Sequence, residues 1–300
     1  MLILPALRII KSSIPDIQID CLANENYKDL AKISTDIDNI ICDIDFYNNL
    51  SEQKYDCSIS FFSTLNIAFK LWKENIRKRY APATKIAQFF YNKTIKQSRS
   101  ESLKSEYEYN VDLSCYFLKD NGYEINKTNG PYIKLANQKD RNDKSKKVIF
   151  IHPFTGGSSK TLSQDDFIKL CLQLHKLCAC RFILHCDEYD YEKCLSMKKN
   201  IYDLDIDVIK PTRRLTQMFF NINQCDLFIA GSTGPLHVAA SLNKKTVAFY
   251  PSKKSSTSLR WNTINDESGK LFYEDSDINS KHIKVDIHAV ANEVYNKLLK

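Results

Sequence analysis

Short apolar runs alternate with stretches of helical periodicity along this chain, and the alternation occurs twice. In the first half, residues 17–22, 40–42 and 56–62 have the length and composition of strands. Helical patterns lie between and after them, near residues 24–32 and over Leu65, Ala68, Phe69 and Trp72. Strands spaced by helices of this length build βαβ units and a parallel sheet. A polar stretch, residues 126–147 with Asn129-Gly130-Pro131 inside it, then interrupts the pattern and reads as a linker. A second series follows. Residues 147–152 form an apolar strand stopped by Pro153. Ser163 is a helix N-cap with Asp165 and Asp166 in the first turn, and Phe167, Leu170, Cys171, Leu174 and Leu177 follow at helical spacing. Residues 181–185, 226–230 and 246–250 are further strands, and an amphipathic helix with Ile287, Val290, Ala291, Val294 and Leu298 closes the chain. The pattern predicts an α/β protein of two Rossmann-like, doubly wound parallel-sheet domains facing a cleft: residues 1–125, a linker at 126–147, and residues 148–300. A length of 300 residues suffices for two domains.

The fraction of hydrophobic residues, 43%, and of charged residues, 26%, excludes disordered and fibrous classes. No apolar run reaches the length of a bilayer span. Residues 1–10 are apolar but carry neither a basic n-region nor a small-residue cleavage site, so no signal peptide is expected and the chain is expected in the cytoplasm. Ten cysteines without a C-x-x-C pair fit free thiols in a reducing compartment. Cys171, His175, Cys178, Cys180, His185 and Cys186 are numerous enough for a metal site. However, the first two fall in a helical pattern and the last two end a strand, so no metal is expected. The net charge of +7 is concentrated: residues 70–104 hold ten Lys or Arg against two Glu. With Trp72, Phe89, Phe90 and Tyr91 among these charges, the segment is expected to face an anionic acceptor or the inner face of a membrane. The nucleic-acid modules that combine stacking aromatics with basic residues are absent, and no nucleic-acid partner is expected.

The chemistry concentrates at Gly231-Ser232-Thr233-Gly234-Pro235-Leu236-His237, where a strand gives way to an Ala-rich helix. Glycines permit a tight turn and close approach of a ligand, and Pro235 suits the first helical turn. Hydroxyls of Ser232 and Thr233 stand beside the free N–H groups of a helix N-terminus, an arrangement that binds phosphate. His237 either contacts a phosphate or packs in the core.

This segment, continuing through residues 238–250 with Pro251 and Trp261, resembles the donor-binding segment of glycosyltransferase family nine, the heptosyltransferases. Four other stretches resemble that family in order and spacing. They are the strand, His152-Pro153, Gly/Ser loop and Lys160 of residues 148–160; Leu4-Pro5-Ala6-Leu7-Arg8 with residues 15–20; residues 54–62 with the basic exit Arg77-Lys78-Arg79-Tyr80; and residues 108–113. The resemblance implies a GT-B fold and a donor that is a nucleoside-diphosphate sugar, typically ADP-heptose. It also implies a lipopolysaccharide-core or other glycolipid acceptor, and inverting transfer without a cofactor or a required metal. It implies donor contacts from Thr155, Ser158, Lys160, Glu188, Arg213, Ser232, Thr233, Gly234 and His237, with Lys160 steadying the leaving diphosphate. Asp190 and Arg214 are neighbouring candidates. Ser232 stands where the family commonly has Asp, which bears on the sugar or ribose contact. The family's general base is an Asp in a Gly-Asp pair after a first strand, a few residues before the Leu-Pro-Ala-Leu motif. Neither that strand nor that pair is among these residues. Asp16 and Asp20 are poor substitutes, so the catalytic residue is unassigned and transfer is expected to be slow, by about 10²–10⁴-fold for a lost base. Two other readings are a binder of sugar nucleotides that no longer transfers, and an epimerase of the same fold.

Overall fold

The computed structural model describes residues 1–50, 54–84, 86–128, 130–135, 145–157, 159–212, 214–277 and 279–300. The chain divides into two compact units, Met1–Lys134 and Leu135–Lys300.

The first unit runs α1 (Leu4–Ser13), β1 (Asp20–Leu22), α2 (Leu30–Ile33), β2 (Asn39–Ile41), α3 (Asp43–Asn49), β3 (Cys57–Ile59), α4 (Leu65–Lys73), β4 (Lys78–Pro82), β5 (Lys93–Ile95) and α5 (Glu106–Asp120). Its strands form two parallel sheets, β1-β2 and β3-β4-β5. Side chains alternate faces along a strand, and both sheets feed the same two cores. On one side Ile9 and Ile10 of α1 meet Tyr80 of β4 and Leu113, Phe117 and Leu118 of α5, with Ile19, Cys57 and Ile59 half-buried against them. On the other, Phe46, Ala68, Leu71 and Ala81 pack with Leu22 and Ile41. Local chemistry sets the helix starts. Pro5 sits in the first turn of α1, Thr64 caps α4 by accepting from the Ile67 N–H, and Ser105 and Glu108 form a capping box on α5.

One ion pair ties this unit together. Arg8 Nε donates to both carboxylate oxygens of Asp36 at 2.8 and 2.9 Å, and Nη2 reaches Thr35 Oγ1 and the Pro131 carbonyl. Asp36 is 3% exposed. The stretch expected as the start of a linker is therefore built into the unit. Ile133 is buried and bridges Ser34, Tyr132 accepts from the Thr35 N–H, and the Asn126 N–H reaches Ser13.

The second unit runs β6 (Lys147–His152), α6 (Gln164–Leu177), β7 (Cys180–Leu184), α7 (Tyr191–Lys199), β8 (Ile206–Val208), α8 (Leu215–Asn223), β9 (Leu227–Gly231), α9 (Gly234–Ser241), β10 (Lys245–Tyr250), β11 (Lys270–Glu274) and α10 (Ile287–Val294). Its six strands form one parallel sheet in the order β11-β10-β9-β6-β7-β8. Ile149, Ile151, Leu227, Ile229, Val247 and Phe249 point into a core shared with α6, α7 and α10. Their neighbours Phe150, Phe228 and Ala248 are equally buried on the opposite face. Burial on both faces explains why these strands read as unbroken apolar runs.

The ten cysteines are all free thiols. Among the described residues no helix is long and apolar enough to cross a membrane, and no group of His, Cys, Asp and Glu is arranged to hold a metal ion.

Removing Arg8 strands a buried carboxylate. Arg8→Met is expected to destabilise the first unit by about 3–5 kcal/mol, the range for breaking a buried pair. Urea unfolding followed by tyrosine absorbance or far-ultraviolet dichroism measures this, and a loss below 1 kcal/mol would show that the pair is dispensable.

Candidate functional site

β6 lies inside the second sheet. The chain winds outward from it in one direction through β7 and β8, and in the other through β9, β10 and β11. The winding reverses between β6 and β9, and open parallel sheets bind ligands at the carboxyl ends of strands beside such a reversal. The Gly/Ser loop after β6 and the turn after β9 both leave from this point.

These two segments touch. A Cβ added to Gly231 would lie 2.8 Å from Thr161 Oγ1 and 3.1 Å from Thr155 Cγ2, so only glycine lets the turn close against the loop. The loop folds back through Gly156 and Gly157 with φ of +56° and +78°, in the left-handed region, and Thr155 Oγ1 donates to the Ser159 carbonyl. Ser158 lies outside the described residues. On the other segment, Thr233 takes an extended conformation before α9, and its hydroxyl makes no capping bond. Ser232 is half-buried beside it, and Gly234 is exposed at the helix start.

Three buried polar atoms here have no protein partner: Thr161 Oγ1 against Gly231, Thr233 Oγ1, and His237 Nδ1 one helical turn later. An unsatisfied buried group costs about 1–3 kcal/mol, and three within one turn-and-loop junction is a concentration that folds seldom keep without use. Burial pushes the His237 imidazole down to about 4, so the ring is neutral at pH 7.

Lys160 has a buried acidic partner. Its ammonium donates to the Asp275 carboxylate, just beyond β11, and to the Asp277 carbonyl at 3.1 Å. The Asp275 side chain is fully buried and accepts the backbone N–H groups of Asp277 and Lys284. Desolvation pushes this carboxyl up, but those hydrogen bonds and the Lys160 charge hold it below the usual range. Lys160 thus sits beside the Gly231 junction as a braced cation. Asp275, distant in sequence, carried no local signal. Thr161 carried one only in following Lys160.

Beneath the neighbouring strand end, His152 Nδ1 lies 2.8 Å from the His185 carbonyl and 3.1 Å from His185 Nδ1. A carbonyl can only accept, which puts the proton on His152 Nδ1 and leaves His185 Nδ1 bare. Burial pushes both rings down to about 4. Glu188 opens a short turn at the carboxyl end of β7, next to β6. Asp190 is buried and paired with Lys193 at 2.7 Å, which makes Glu188 the more accessible of the two. Arg213 lies outside the described residues, and Arg214 is the N-cap residue of α8.

In the first unit, Asp20 is the first residue of β1 and is held by Gln18, Asn39 and Tyr55. Asp16 precedes it in a left-handed turn. Both lie at the amino end of the strand, away from the carboxyl edge where ligands bind. The basic segment is neutralised in part, at four of its nine described cations. Lys70 pairs with Glu74, Lys93 with Asp120, Arg99 with Glu106 and Lys104 with Asp112. Lys78 and Arg79, expected in a basic exit, are the opening residues of β4, and the Arg79 guanidinium folds onto the Phe90 carbonyl.

Two outcomes follow. Gly231→Ala is expected to lower stability by about 1–3 kcal/mol through overpacking, seen in a urea titration. An unchanged midpoint would show that the loop and turn do not touch. The rings of His152, His185 and His237 have folded pKa values below that of an unfolded histidine. The stability they add is therefore complete above pH about 6.5 and is lost as pH falls through about 4. Urea midpoints are expected to drop between pH 7 and pH 5, and His185→Asn should flatten that slope.

Comparison with known proteins agrees with this architecture. The family model described as glycosyltransferase family 9 (heptosyltransferase) matches residues 44–281. A Haemophilus influenzae protein named provisionally as a glycosyltransferase is 32% identical, over 94% of this chain and 89% of its own. The family 9 glycosyltransferase structure from Veillonella parvula superposes with a TM-score of 0.80 at 15% identity, covering 99% of this chain and 93% of that one. The E. coli heptosyltransferase WaaC with ADP superposes with a TM-score of 0.75 at 15% identity, covering 99% and 95%. These two structures show the fold, which is GT-B, while the family match and the H. influenzae relative establish that the chain is a member of glycosyltransferase family 9.

Proposed function

We propose that the second unit binds a nucleoside-diphosphate sugar at the β6–β9 reversal, and that the protein transfers the sugar with inversion to a lipopolysaccharide core or a similar anionic glycolipid. The observation that carries this reading is the set of orphaned polar atoms on Thr161, Thr233 and His237, packed around a glycine turn at a helix N-terminus. Such a terminus presents free N–H groups and a favourable dipole to a diphosphate. Lys160 supplies the positive charge that the departing diphosphate needs. To reach it, the ammonium shares or exchanges its bond to Asp275. Glu188, at the end of β7, is in the place to accept from ribose hydroxyls. ADP-heptose is the donor we favour, because structures of the same fold are those of E. coli WaaC with ADP and with ADP-2-deoxy-2-fluoro heptose. Ser232, Gly234 and the segments carrying Ser158 and Arg213 complete the donor contacts. No metal takes part in this scheme, so EDTA is expected to leave transfer unchanged. A glycolipid acceptor places the work at the cytoplasmic face of a membrane.

A second reading, a sugar-nucleotide binder without transfer, draws on the position of Asp16 and Asp20 at the amino end of β1, where neither serves as the general base.

Calorimetry and thermal shift with ADP, UDP, GDP and ADP-heptose test the donor. Binding at a hundred times Kd adds about 2.7 kcal/mol to stability. Lys160→Ala is expected to weaken diphosphate binding by roughly 1.5–3 kcal/mol, the worth of a charge-assisted contact. Thr233→Val, which removes an orphaned hydroxyl, should leave the free protein as stable or more so while weakening the ligand. Equal affinity in both variants would overturn the site. Binding of ADP-heptose without release of ADP in the presence of acceptor would favour the second reading.

A further inference from the structure

We infer that the face formed by α4 and the turn at Ile86–Phe90 docks on an anionic lipid surface. The turn packs against α4, and the two together leave Leu65, Phe69, Trp72, Ile86 and Phe89 exposed, with Phe62 on the approach to α4. Phe89 is 80% and Ile86 69% exposed. These side chains are gathered rather than scattered. The rings of Phe69, Trp72 and Phe90 lie 5.6–5.9 Å apart in a mutually edge-on or tilted trio, so ordering them on a surface costs little further entropy. Exposed single apolar residues are ordinary, whereas a contiguous patch marks an interaction surface.

Charge selects the occupant. Four of the nine described cations of the surrounding basic segment pair with acids, while Lys73, Arg77 and Lys96 are exposed and pair with no acid among the described residues. A second copy of the chain is a poor fit, since a two-fold contact would bring these like charges together. Tryptophan and phenylalanine beside lysine and arginine suit the headgroup level of a membrane with acidic lipids. The position supports the same conclusion. Phe62 and the turn at Ile86–Phe90 follow the carboxyl ends of β3 and β4, the edge at which parallel sheets meet their ligands. The inference deepens the glycolipid-acceptor reading by naming the surface. Its test contains neither donor nor acceptor, so its failure leaves the donor site untouched.

The chain has two tryptophans, and Trp261→Phe leaves Trp72 as the only one. In that background, titration with vesicles of phosphatidylglycerol and phosphatidylethanolamine should shift Trp72 emission to the blue, and brominated acyl chains should quench it. Vesicles of phosphatidylcholine alone should do neither. Trp72→Ser with Phe89→Ser, in the otherwise unaltered chain, is expected to cut co-sedimentation with the anionic vesicles by more than about tenfold. Lys73→Gln with Arg77→Gln should cut it roughly twenty-five-fold at low salt, about fivefold per basic residue, and remove much of its salt dependence. These surface variants should melt as the parent does. Three results would overturn the inference. One is no binding to anionic vesicles at low salt. Another is full binding by the aromatic variant with its fold intact. The third is a dimer in light scattering that the same variant dissolves.

Discussion

A missing side chain is the constraint on which the site depends. Because Gly231 has no Cβ, the turn after β9 closes directly on Thr155 and Thr161 of the loop after β6. The contact sits where the strand order reverses, so one tight approach brings together the ends of two neighbouring strands that are far apart in sequence. The rest follows from it. Thr161 is pressed against the turn with its hydroxyl unsatisfied, Thr233 begins the helix without capping it, and Lys160 is left at the edge, where a buried acid can hold it. A scaffold buried on both faces of its sheet resists distortion, which is what keeps three orphaned polar atoms in place at a cost that a looser framework would relieve.

Lys160 and Asp275 show how a loop lysine is held in one position. An isolated lysine on a loop has many rotamers to lose when it meets a ligand. Here the ammonium is already positioned by a carboxylate that two backbone amides fix from behind. A diphosphate that reaches it meets a pre-ordered group.

Much of the second unit was legible in its sequence. β6, β9 and β10 are central strands with both faces covered, so each reads as an apolar run, and Ser163 announces α6 as an N-cap that accepts from the Asp166 N–H. β8 and β11 were not legible. They are the edge strands, Ile-Asp-Val and Lys-Leu-Phe-Tyr-Glu, in which solvent-facing positions dilute the pattern. In the first unit β4 was hidden because it opens with Lys78 and Arg79, charges that the fold absorbs into hydrogen bonds with Asn121 and Phe90. The glycine turn and Lys160 stood out in the sequence as a candidate site because their residue types carry the chemistry locally. The partners of Lys160 and of Lys93, Asp275 and Asp120, come from tertiary contacts that no window of sequence contains. Helical spacing alone does not say which face of α4 is left uncovered, and the exposure of Leu65, Phe69 and Trp72 is visible only in the structure.

The two sheets of the first unit differ from the single sheet of the second in what holds them. No described strand joins β1-β2 to β3-β4-β5, and most of their strands are three residues long. Their alignment rests on side chains, on the helices that span both sheets and on Arg8, rather than on a continuous ladder. Cooperativity is therefore unequal along the chain. The second unit opens as one block, while β1-β2 can part from its neighbours by losing packing alone. Amide protons in β6 and β9 exchange only through the deepest opening available to their unit, whereas those of β1 and β2 exchange through a shallower one. The second unit is thus held by one continuous ladder, whereas the first carries an internal seam.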